Sequence, residues 1–173
     1  EGLYSLDAAG NLIPAIANDY EVSEDGLTYT FHLRDANWSN GTPVTANDFV
    51  FSWRRLVDPA QASEYSFIAE VAGLANAAAI TAGEKPTTEL GVQATDDKTL
   101  VVTLDRTVPY FLSLTAFATF FPLNEAFVTE KGADYALSPE ALLANGPFKM
   151  VEWNKGYGFK LEKNATYYDA DAV

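Results

Sequence analysis

The chain has 173 residues, 48% of them hydrophobic and 20% charged, with no run of about 18 apolar residues that could span a bilayer. Lys and Arg number 11 against 24 Asp and Glu, and the resulting formal charge of −13 argues against nucleic-acid and membrane-surface binding. The absence of cysteine removes disulfides, thiolate nucleophiles and zinc–thiolate sites together and leaves the compartment open.

The chain opens "EGLYSLDAAG", without Met, a basic n-region or an apolar h-region, and closes "NATYYDADAV", without a cap or polar tail. It is expected to be cut from something longer. The first clear element is residues 28–33, "TYTFHL", whose alternation puts Tyr29, Phe31 and Leu33 on one face of a half-buried strand. "SEDG" before it and "SNG" after it supply turn residues. Thr45 then opens a helix with Asp48 three residues on, a capping-box-like pair. Phe49, Val50, Trp53, Leu56 and Val57 form its apolar stripe, and Asp58-Pro59 stops it. Arg54 and Arg55 lie off that stripe and are expected to be solvated. Tyr29, Phe31, Leu33, Phe49 and Trp53 are expected to join strand to helix as core. Gly41 and Pro43 would shape the turn between them, with Trp38 covering the junction.

Residues 65–81 read as helical and rich in small residues, broken at Gly73, with a loop through 82–86. Residues 90–104 read as a hairpin around Asp96-Asp97-Lys98. Residues 107–121 are apolar and aromatic throughout and predict a buried helix opened by Pro109. A second short helix is expected over 124–131, then a loop, then a hairpin in "FKMVEWNKGYGFKLEKN" turning at 154–156. Hairpins mixed with helices argue for a mixed α/β or α+β fold.

Catalytic equipment is sparse. The single histidine, His32, lies in mid-strand without a local nucleophile or orienting acid and reads as structural. Asp96-Asp97 and Asp169-Ala170-Asp171 do not fit a calcium loop, and "GEKPTT" and "NKGYG" lack phosphate-loop spacing. Asn37 and Asn164 sit in N-x-S/T triplets, a pattern too short to weigh. Aromatics are abundant, with 3 Trp, 9 Tyr and 11 Phe, and suit a core and, for Tyr and Trp, ligand contact. The residues favour a binding module over an enzyme.

The stretch "LIPAIANDYEVSEDGLTYTFHLRDANWSNGTPVTANDFVFSWRRLVDP" resembles the extracellular solute-binding proteins that serve peptide ABC transporters, especially the oligopeptide-binding proteins. "LGVQATDDKTLVVTL", "VPYFLSL", "NGPFKMVEW" and "LEKNATYYD" continue the resemblance in order. It implies a two-lobed periplasmic-binding-protein-like clamp that captures peptides outside the cytoplasmic membrane and delivers them to permease subunits. It implies no enzymatic activity, cofactor or metal, and a monomeric full-length protein that is periplasmic or held at the membrane by a lipid anchor. Members are several times longer, so residues 1–123 would be the accessory subdomain and 124–173 a partial segment of the first main lobe. Most peptide contacts would come from the main lobes. The one site residue carried over is Tyr65 in "ASEYS", as a peptide contact; Glu64 stands where relatives often have proline, which bears on the ring's aim. Relatives also bind nickel complexes, haem or oligosaccharides, or act as pheromone receptors. From another class, a hydrolase would pair His32 with Asp or Glu.

Overall fold

A computed structural model describes all 173 residues, which form two compact units. The first comprises Glu1–Arg34 and Thr45–Leu123, and the second Asp35–Val44 and Asn124–Val173. No helix is long and apolar enough to cross a membrane.

In the first unit, β1 (Tyr4–Leu6) and β2 (Leu12–Pro14) pair as a short antiparallel hairpin. Four strands, β3 (Ala17–Val22), β4 (Thr28–Leu33), β5 (Val92–Asp96) and β6 (Thr99–Thr103), make an antiparallel sheet in the order β3-β4-β6-β5. The alternation in β4 buries Phe31 and Leu33 as expected. The strands before it carry no such signal, because β3 buries only Ala17 and presents Asn18 to Val22 to solvent. Turn carboxylates organise two hairpins: Asp25 Oδ1 accepts the Ser23 hydroxyl at 2.6 Å and the Leu27 N–H at 3.0 Å. Asp96 Oδ1 accepts the Lys98 N–H at 2.8 Å.

Helix α1 (Ala46–Val57) packs across β5 and β6. At its start Asp48 Oδ2 accepts the Thr45 N–H at 2.8 Å and the Thr45 hydroxyl at 3.3 Å, satisfying a donor that a helix N-terminus would otherwise leave free. The whole predicted stripe, Phe49, Val50, Trp53, Leu56 and Val57, is buried. After it come α2 (Phe67–Val71) and α3 (Ala77–Thr81). Gly73 separates them at φ +73°, where an added Cβ would also meet Val108 Cγ2 at 2.7 Å.

Residues 107–121 differ from the buried helix expected. Only Phe111–Leu114 is helical (α4), followed by a 3-10 turn over Ala118–Phe120, and Tyr110 and Phe117 are exposed. Two features end the helix early. The Thr115 hydroxyl donates back to Leu112 O at 2.7 Å, and β-branched and aromatic residues crowd the segment. The Phe120 and Phe121 carbonyls instead accept side chains of α1: Trp53 Nε1 donates to Phe120 O at 2.9 Å and Ser52 Oγ to Phe121 O at 2.6 Å.

The second unit holds α5 (Glu125–Lys131), capped by Asn124 Oδ1 accepting the Phe127 N–H at 2.9 Å. It also holds the antiparallel hairpin β7 (Phe148–Asn154) and β8 (Gly158–Lys163), which turns through Gly156 at φ +84°. The loop expected to join strand to helix belongs to this unit. Ser39 N–H donates to Ala144 O at 2.7 Å, and the Thr166 hydroxyl donates to Trp38 O at 3.0 Å. Trp38 is buried, and the segment Asp35–Val44 that carries it groups with the second unit. Asn164, one of the N-x-S/T asparagines, is buried and donates to Gly146 O at 2.9 Å, a structural role.

Trp53→Phe removes the donor to Phe120 O and part of a packed ring, and is expected to lower stability by about 1–3 kcal/mol in urea unfolding. Asp48→Ala leaves the Thr45 N–H without its acceptor, with an expected loss of similar size, about 1–3 kcal/mol. The hydrogen bonds to Asp25, from the Ser23 hydroxyl first, and to Asp96, from the Lys98 N–H first, hold both carboxyls below the usual carboxylate range. Both turns therefore contribute stability above the unfolded-state carboxylate pKa and lose it as pH falls through the lower folded value. An NMR titration should find both carboxyls still ionised where an ordinary Asp is half protonated.

Candidate functional site

The end of α1 sets up the surface that carries Tyr65. Asp58 Oδ1 accepts the Ala60 N–H at 3.0 Å, starting a 3-10 turn over Pro59–Gln61 that closes at Ala62 with φ 48°. Ser63 Oγ then accepts the Tyr65 N–H at 3.3 Å, and Tyr65 O accepts the Ile68 N–H at 3.0 Å at the entry to α2. The chain around Tyr65 is thus fixed at both ends while its side chain stays in solvent.

Tyr65 is 53% exposed, and its ring lies with two others that are equally uncovered, Phe67 at 55% and Phe117 at 43%. The Tyr65 and Phe67 rings stack with centroids 6.4 Å apart and planes at 24°. Phe117 approaches Tyr65 at 6.2 Å and 52°. Phe117 comes from a distant part of the sequence and is positioned by the bonds from Trp53 and Ser52 to the two carbonyls beyond it. Tyr65 thus joins Phe67 and Phe117 in an apolar patch open to water, with one phenolic hydroxyl. Sequence reasoning names Tyr65 alone. Phe117 is missed because its segment reads as a buried helix, and Phe67 because nothing local separates it from core.

A cavity of about 390 Å³ opens beside the same segments. Ser63, two residues before Tyr65, and Ala118, next to Phe117, are in its wall together with Arg55, Gln61 and Thr119.

His32 lies elsewhere on this unit, on the β3–β4 surface. Its Nε2 is 4.0 Å from Asp19 Oδ1 and 4.0 Å from Glu21 Oε1, carboxylates that the local sequence around His32 does not reveal because β3 brings them across the strand pair. These separations exceed a hydrogen bond. No group of three or more His, Asp or Glu side chains is arranged to hold a metal ion. Asp96 serves its hairpin turn, and Asp171 lies in the last 3-10 turn of the chain.

Comparison with known proteins gives a consistent result. The family model for bacterial extracellular solute-binding proteins, family 5 (middle), matches residues 11–173. The probable deoxycholate-binding periplasmic protein YgiS of Escherichia coli is 42% identical over 171 residues, 98% of this chain and 32% of YgiS. The crystal structure of the substrate-binding domain of an oligopeptide ABC transporter from Bacillus anthracis superposes with a TM-score of 0.97 at 53% identity, covering 100% of this chain and 33% of that one. OppA of Listeria monocytogenes bound to peptide gives 0.95 at 48% identity, covering 100% of this chain and 34% of that one. The chain therefore spans about a third of the length of these relatives. With the match running from residue 11 to residue 173 and the fold retained throughout, the chain belongs to the family 5 bacterial extracellular solute-binding proteins.

Proposed function

We propose that this chain is part of the solute-capturing subunit of an ABC importer that takes up oligopeptides outside the cytoplasmic membrane and hands them to permease subunits. The observation that carries this reading is the exposed Tyr65–Phe67–Phe117 surface in a chain of this family. Aromatic faces accept many apolar side chains, and the Tyr65 hydroxyl remains available to a peptide main-chain group. Accepting many sequences requires reading what peptides share, which is the main chain, with roomy side-chain pockets. Capture needs no bond to be made or broken, so the protein works by binding and by a hinge closure that the ligand favours through higher affinity for the closed state.

In this reading residues 1–123 are the accessory subdomain, with 35–44 grouping with the second unit, and residues 124–173 are a partial segment of a main lobe. Support for the second assignment comes from the β7–β8 hairpin, which leaves Phe148, Phe159 and Leu161 exposed and Tyr157 97% exposed. Two strands alone rarely hold together in water, and such a surface suits burial under further strands of a longer chain. The site of action is the periplasm or the outer face of the membrane, the latter through a lipid anchor. Deoxycholate is the rival ligand, on the strength of YgiS.

Calorimetry with a mixed pool of short peptides should show binding by the longer protein that contains this sequence and none, or only very weak binding, by the 173-residue chain. Tight peptide binding by the short chain would overturn the division into subdomain and lobe, and binding of deoxycholate but no peptide would overturn the ligand. In the longer protein Tyr65→Ala should weaken peptide binding roughly fivefold or more, the loss of an aromatic contact and a hydrogen bond, with little change in melting temperature. A fall in melting temperature of many degrees with affinity unchanged would make Tyr65 structural.

A further inference from the structure

The cavity beside the aromatic surface contains a cation without a counter-charge. Arg55 lies in the last turn of α1, is only partly exposed, and its guanidinium takes part in no hydrogen bond or ion pair. Two other arginines of this unit are differently placed: Arg54 donates to Thr88 O at 3.2 Å, and Arg106 to Asp105 at 2.8 Å and to Glu70 O at 2.7 Å. A cation suits the negative end of a helix dipole, but that attraction uses none of the guanidinium donors. No Asp or Glu lines the cavity, in a chain whose net charge is −13. With no carboxylate in its wall, the one guanidinium gives the cavity a local positive potential.

The remaining wall suits a particular group. Gln61, Ser63 and Thr119 add donors, while Leu56 and Phe121 provide apolar cover for a short aliphatic stem. Arginine matches a carboxylate with two parallel N–H···O bonds. Ser63 lies two residues before Tyr65, and Ala118 follows Phe117, so the cavity and the aromatic surface are built from the same two segments.

We propose that this cavity receives a carboxylate of the bound peptide, with Arg55 as its counter-ion, so that the protein prefers peptides bearing that charge in one register. The inference rests on the peptide-binding reading above. The carboxylate comes from an Asp or Glu side chain or from the peptide C-terminus.

The test is calorimetry of the longer protein containing this sequence with alanine tetrapeptides that carry Glu or Gln at each position in turn, each as free acid and C-terminal amide. The expected result is a preference of roughly tenfold for Glu over Gln at one position, or for free acid over amide, reduced to about unity by Arg55→Gln and retained only in part by Arg55→Lys, which keeps the charge but not the paired N–H groups. The position or terminus at which the preference appears identifies the source of the carboxylate. Arg55→Glu should shift the preference toward peptides with Lys at that position. Equal affinities across all pairs, or a preference that survives Arg55→Gln, overturn the proposal while leaving peptide binding intact. Failure of every peptide to bind the unmodified protein overturns the peptide-binding reading and this inference with it.

Discussion

Two hydrogen bonds from α1 hold the candidate site together. The Trp53 indole N–H and the Ser52 hydroxyl reach the carbonyls of Phe120 and Phe121, far away in sequence, and fasten the end of residues 115–121 to α1. The Trp53 ring also packs edge-on against Phe120 at 5.1 Å and against Phe49 at 6.4 Å, so both partners of the bond are buried and the exchange with water is unfavourable. This anchoring turns Phe117 outward to Tyr65 and brings Thr119 to the wall that Arg55 shares. The aromatic surface and the cavity are thus the outer side of one core contact.

The two units differ in how completely they bury themselves. The first closes around Phe31, Phe49, Trp53, Phe111 and Phe120 beneath a four-stranded sheet. The second relies on hydrogen bonds between separated segments, Ser39 with Ala144 and Trp38 with Thr166, and its hairpin keeps large apolar side chains in solvent. The relatives that this chain matches are about three times its length.

Elements with strong periodicity were legible in the sequence. The stripe of α1 and its stop at Asp58-Pro59, the alternation of β4, both later hairpins and the break at Gly73 all follow from local residue chemistry. β3 was not, because five of its six residues are exposed and it is fixed by contacts distant in sequence, the pairing to β4 and the packing of Tyr20 on Tyr4, Tyr29 and Phe31. The helix read over 107–121 failed because apolar composition reports burial but not the Thr115 back-bond to Leu112 O or the poor helix propensity of its β-branched and aromatic residues. At the site, Tyr65 came from resemblance. Phe67, Phe117 and the isolation of Arg55 depend on contacts between segments that no local pattern encodes.

The central claim is that the Tyr65–Phe67–Phe117 surface faces the ligand, and a crystal structure of the longer protein with a bound peptide tests it most directly. Peptide atoms are expected within van der Waals contact of the Tyr65 and Phe117 rings, about 4 Å between heavy atoms. A bound peptide that leaves both rings in solvent or beneath another part of the chain would contradict it.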